Sequence, residues 1–63
     1  MKLKVAIKII EDRNYVLTVG LSNGMVMAQA GHDKDPLYEG TGCSYREAIT
    51  DLVEFILKEE HRR

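Results

Sequence analysis

Sixty-three residues, with nine Lys and Arg against ten Asp and Glu, make one domain with a net charge of −1, so no global field draws the chain towards nucleic acid or anionic lipid. A single cysteine excludes an internal disulfide framework, and 44% hydrophobic with 30% charged residues is the composition of a folded domain rather than a disordered tail. A chain of this length buries only about 60% of its unfolded surface, so one small core spanning residues 1–63 has to supply all the stability.

Lys2-Leu3-Lys4-Val5-Ala6-Ile7-Lys8-Ile9 alternates polar and apolar residues, which predicts a half-buried strand. The same alternation lacks the continuous apolar run of a signal peptide, and nothing approaches the roughly 20 apolar residues of a membrane span. With one free thiol the expected compartment is the cytoplasm.

Glu11-Asp12-Arg13-Asn14 breaks the first run, and Tyr15-Val16-Leu17-Thr18-Val19-Gly20-Leu21 forms a second β-rich one. Asn23-Gly24 follows, the pair that best tolerates the two positive φ angles of a type I′ hairpin. Met25 to Ala30 returns as the next strand. A two-residue loop sets Ser22 opposite Met25, and therefore Leu21, Val19 and Leu17 opposite Val26, Ala28 and Ala30. For the first hairpin, a three-residue loop Asp12-Arg13-Asn14 with Asn14 left-handed pairs Ile9 with Leu17 and Ile7 with Val19. The expected core face is then Leu3, Val5, Ile7, Ile9, Leu17, Val19, Leu21, Val26, Ala28 and Ala30. Lys4, Ala6, Lys8, Val16, Thr18, Gly20, Met25, Met27 and Gln29 fall on the opposite face.

Gly31 to Pro36 reads as a polar loop, and Leu37 to Thr41 as a short fourth strand or a crossing segment. Ser44-Tyr45-Arg46-Glu47 is a capping box. Beyond it Tyr45, Ala48, Ile49, Leu52, Val53 and Ile56 recur at helical spacing, with Phe55 and Leu57 widening the stripe, so a helix is expected over about 45–60. The fold class is α+β: a three- to four-stranded antiparallel sheet with one C-terminal helix packed on one face.

Chemical groupings are sparse. His32-Asp33-Lys34-Asp35 lacks the glycine and distal glutamate of a calcium loop and reads as a solvated turn, so no metal is assigned. Gly40-Thr41-Gly42-Cys43-Ser44 lacks the further glycines or lysine of a phosphate loop, and no base is placed by sequence beside Cys43. A non-enzyme without cofactor is expected.

Two surfaces remain. Val16, Thr18, Gly20, Met25, Met27 and Gln29 form an apolar, methionine-bearing sheet face suited to an adaptable protein contact. Dimerisation through that face or an edge strand also relieves a small domain's shortage of core, so a protein partner and a homodimer are expected. The alternative is a nucleic-acid module using Lys2, Lys4, Lys8, Arg62 and Arg63, although strand lysines also protect edges and no aromatics are interleaved with them.

Tyr38-Glu39-Gly40-Thr41-Gly42-Cys43-Ser44-Tyr45-Arg46-Glu47-Ala48-Ile49-Thr50-Asp51-Leu52 resembles the strand-to-helix junction of HicB-like antitoxin domains, in which three strands lead into a helix. Tyr15-Val16-Leu17-Thr18-Val19 resembles the family's second strand, whereas its Asp-x-Pro-Gly-Cys stretch and appended DNA-binding module are absent. The resemblance implies a small protein-binding domain, often dimeric, that inhibits a partner such as a toxin nuclease; a neighbouring expectation, from lone small domains of phages and mobile elements, is an inhibitor of a host nuclease or host-defence factor.

Overall fold

The computed structural model describes residues 1–33 and 35–62. Its elements run α1 (Leu3–Asp12), β1 (Val16–Ser22), β2 (Met25–His32), β3 (Asp35–Gly42) and α2 (Tyr45–Arg62). The three strands form an antiparallel meander in the order β1-β2-β3. Both helices contribute to the single core with the inward residues of β2, which makes a two-layer α+β domain.

The β1–β2 hairpin has the register that Asn23-Gly24 demands: Ser22 pairs with Met25, Val19 with Ala28 and Leu17 with Ala30. Asn23 and Gly24 have φ of 52° and 77°, as a type I′ turn requires. β3 pairs Gly42, Gly40 and Tyr38 with Val26, Ala28 and Ala30, after which the register shifts and Pro36 meets Gly31. That shift leaves Leu37 as an extra residue on the bulged strand. The segment read as a short fourth strand or a crossing segment is thus a strand, the third of the sheet and longer than expected, and β2 and β3 reach into the expected polar loop at His32 and Asp35. Lys34 lies outside the described residues.

The N-terminal segment is a helix and not a strand. Its residues satisfy both periods: Leu3, Ala6, Ile7 and Ile10 fall at i, i+3, i+4 and i+7, the helical stripe. Tertiary demand selects between them. α2 packs on β3 and β2, while α1 packs beside α2 and against β1, so α1 covers the part of the sheet that α2 leaves bare. Ala6 and Ile10 become core residues, and Val5, expected inside, is 49% exposed. The expected hairpin pairs Ile9–Leu17 and Ile7–Val19 do not exist. Asn14 is nevertheless left-handed, with φ 57°, because it ends α1. Its N–H donates to the Glu11 carbonyl and that of Tyr15 to the Ile10 carbonyl, the paired bonds of a Schellman motif.

The core comprises Ala6, Ile10, Val26, Ala28, Ala30, Ala48, Ile49, Leu52, Val53 and Ile56. Leu3, Ile9, Tyr15, Leu17, Val19 and Tyr38 border it. Leu21, expected on the core face, has that orientation but lies beyond the helices' reach and is 71% exposed. Tyr45, Phe55 and Leu57 at the margins of the α2 stripe are also exposed. At the start of α2 the Glu47 N–H donates to Ser44 Oγ at 3.2 Å, while the Glu47 carboxylate accepts from the Cys43 N–H at 2.8 Å. The capping box therefore forms with its return arm one residue further back.

Candidate protein-binding surface

Strand alternation assigns Val16, Thr18, Gly20 and Ser22 of β1 to the face opposite the helices, beside Met25, Met27, Gln29 and Gly31 of β2 and Glu39 and Thr41 of β3. No described helix covers them. Val16 and Met25 are 50% and 41% exposed, and Gly20, where a Cβ would meet nothing within 4 Å, keeps the sheet low between the larger side chains, whereas the β3 backbone at Asp35 to Leu37 closes over the buried Gly31. Two shallow depressions meet at Thr18 and Gln29, one running to Val16, Gly31 and Pro36, the other to Gly20 and Met27. Gln29 Nε2 donates to Glu39 Oε2 across the strands at 3.2 Å, which ties the one carboxylate among these side chains to an amide. The face offers methyls, thioethers, hydroxyls and an amide, groups suited to contact rather than proton transfer.

All six residues expected on this face, Val16, Thr18, Gly20, Met25, Met27 and Gln29, lie together there. Lys4, Ala6 and Lys8 do not: Ala6 is buried and the lysines are on α1, across the sheet. Their removal leaves the outer face more neutral than the sequence suggests.

The alternative basic set is divided. Lys8 Nζ contacts Asp12 at 3.2 Å and Arg62 contacts Glu59 at 3.6 Å, both exposed pairs of the kind worth little. Arg63 lies outside the described residues. Lys2 and Lys4 instead share a surface depression with Arg46, at the start of α2. At the opposite ends Arg13 holds Glu60 through Nε and Nη2, at 2.5 and 2.7 Å. The two helices therefore run parallel, with both N-termini at the Lys2, Lys4 and Arg46 end. Arg46 had no sequence signal, because its company depends on how the helices lie side by side.

Arg13 is central to the opposite end. Its Nη1 also donates to the Ile9 carbonyl at 2.9 Å, and the Glu60 hydrogen bond raises its pKa further above the ordinary guanidinium value. Nearby, Tyr15 meets His32 edge-on at 5.3 Å and Tyr38 at 5.7 Å, and Tyr38 meets Phe55 at 5.7 Å. Burial, followed by the hydrogen bond with Tyr38, pushes the Tyr15 phenol above its usual pKa. Among the described residues no group of three His, Cys, Asp or Glu side chains is disposed to hold a metal ion. Cys43 is exposed. No described helix is long and apolar enough to cross a membrane. No family model, curated protein or solved structure matches the chain.

Proposed function

We propose that the chain is a non-catalytic protein-binding domain whose working surface is the outer sheet face. One observation carries this reading: both helices lie on the same side of the sheet, leaving Val16, Met25 and Met27 uncovered on a low, nearly uncharged surface. A patch of this kind in so small a domain suits a protein contact, and methionines adapt to a partner's shape. The partner presents an apolar surface of low charge. On the HicB-like resemblance it is a toxin nuclease, and on the neighbouring expectation a host nuclease or host-defence factor, that the domain inhibits by covering it. Photo-crosslinking in the source cell tests this. A benzophenone side chain at Met27 is expected to trap one discrete protein, and Val16→Lys is expected to abolish the adduct while leaving the fold intact. Equal trapping from a benzophenone at Lys8, on the other side of the sheet, would refute the proposal.

A second reading has its own support in the convergence of Lys2, Lys4 and Arg46, where nucleic-acid phosphates would bind. It predicts affinity for labelled RNA or DNA that falls steeply with salt and is lost in Lys4→Glu with Arg46→Glu. No shift at low salt removes it.

A further inference from the structure

The two edges of the sheet are unlike. In a two-residue hairpin the residues flanking the loop form a hydrogen-bonded pair, so Ser22, Gly20, Thr18 and Val16 direct their backbone groups to β2. Leu17, Val19 and Leu21 direct theirs outward. The same alternation carried across β2 points the Thr41 and Glu39 amides out from β3, and Thr41 N–H indeed donates to Asp51 Oδ2 at 3.0 Å. That edge is blunted further by Pro36, which has no N–H, by the bulge at Leu37 and by the charges of Asp35 and Glu39. These are the usual protections of a strand edge.

β1 has none of them. Val16-Leu17-Thr18-Val19-Gly20-Leu21-Ser22 holds no charge and no proline, and its pairing with β2 is unbroken over all seven positions. Among the described residues no hydrogen bond reaches the outward amides of Leu17, Val19 and Leu21. Leu21, at 71% exposure, marks the uncovered end.

We propose that a second copy of this chain pairs antiparallel along β1 in a two-fold register centred on Val19, making one six-stranded sheet. The occupant follows from the strand itself. Centring on Val19 is the register that pairs all seven residues: Val19 meets Val19, Leu17 meets Leu21, Thr18 meets Gly20 and Val16 meets Ser22. Leu17, Val19 and Leu21 all present outward backbone groups, so these pairs are the hydrogen-bonded ones and six bonds close across the axis. No like charges meet, which a second copy of a charged strand would suffer. Leu21 gains the cover of Leu17 from the partner copy on the helix side. The two outer faces then join into one continuous surface of twice the width. Because the pairing uses edge backbone groups and not the outer face, its failure and that of the protein-binding reading are separable.

The full chain in solution tests it. Light scattering from micromolar to millimolar concentration is expected to give twice the 7.2 kDa chain mass, and hydrogen exchange is expected to show protected amides at Leu17, Val19 and Leu21. Leu21→Pro, which removes an outward donor and no internal hydrogen bond, is expected to return the mass to one chain with an unchanged helical dichroism spectrum. Hydrogen-bonded partners lie about 5.5 Å apart at Cα, within disulfide reach. Val19→Cys in a Cys43→Ser background should therefore cross-link to itself on mild oxidation. Thr18→Cys should not, since diagonal neighbours sit about 7–8 Å apart. A single-chain mass throughout, free exchange at the three amides in a dimer, or equal cross-linking of both variants would each overturn the proposal. So would a dimer lost in Met27→Lys but kept in a folded Leu21→Pro. Should Leu21→Pro fail to fold, the exchange and cross-linking results decide.

Discussion

Gly40 is where β3 and α2 come closest, and Gly40→Ala measures that approach. A Cβ at this position would stand 2.3 Å from Leu52 N, 2.6 Å from the Ala48 carbonyl oxygen and 2.7 Å from Leu52 Cα. All three are backbone atoms, so no side-chain rotation relieves the clash. Reaching even the 3.4 Å edge of ordinary contact requires α2 to retreat by about 1 Å. A radial gap of that size forfeits roughly a quarter to a half of the dispersion energy at each contact it opens, and α2 carries Ile49, Leu52, Val53 and Ile56 of the core. Overpacking of this kind costs about 1–3 kcal/mol, occasionally more, and a backbone clash belongs at the upper end. A single core in a domain of this size rarely supplies more than about 3–5 kcal/mol, so Gly40→Ala should keep only about 0–2 kcal/mol of stability at 25 °C. Urea titration followed by helical dichroism checks it against Gly20→Ala, whose Cβ meets nothing within 4 Å and which should gain about 0.5 kcal/mol from the lower entropy of its unfolded chain. A loss under about 0.5 kcal/mol in Gly40→Ala, well below the cost expected of overpacking, would refute the reasoning.

Ser44→Ala removes the acceptor for the Glu47 N–H and should cost about 1 kcal/mol, read from the same titration. Glu60→Gln breaks a two-pronged, partly exposed ion pair with Arg13 and should cost roughly 0.5–1 kcal/mol at low salt, a difference that shrinks as salt is added. The raised Tyr15 pKa gives alkaline sensitivity: above pH 10.0, the phenol's ordinary value, the unfolded chain releases the proton while the folded chain still holds it. Stability should therefore be insensitive to this group at lower pH and fall as pH rises through the folded value. Tyr15→Phe should flatten that alkaline limb, and an unchanged limb would place the cause elsewhere.

The parts of the fold legible in the sequence are those fixed locally. Asn23-Gly24 set the β1–β2 register because only one loop length suits its two positive φ angles, and Ser44 with Glu47 set the start of α2. The outer-face residues followed from that register without further information. α1 was not legible in the same way. Lys2 to Ile9 fits a period of two, but Ile9-Ile10 already breaks the alternation, and Lys8 with Asp12 at i,i+4 is a helical pairing. What decides between the two periods is the uncovered ground beside α2, a property of the assembled sheet. Asn14 shows the same division: its left-handed backbone was readable, but whether it closed a hairpin or ended a helix was not. The contrast between the two sheet edges depends on Asp51 reaching Thr41 across ten residues, which no local pattern announces.

The parallel course of the helices sets the order in which the molecule loosens. Each helix carries roughly half a positive charge at its N-terminus and half a negative charge at its C-terminus, so like ends lie side by side. At the C-terminal ends Arg13 sits between the Ile9 carbonyl and Glu60 and neutralises that juxtaposition. At the other end α1 begins at Lys2 with no side-chain cap and no acidic residue in its first turn, beside Lys4 and Arg46. The first turn of α1 is therefore expected to fray before the end held by Arg13, and its amides should exchange in a gradient from the Leu3 end towards Asp12. Each such opening bares the core side of β1 for a moment, so the least protected edge of the sheet also lies under its least anchored helix.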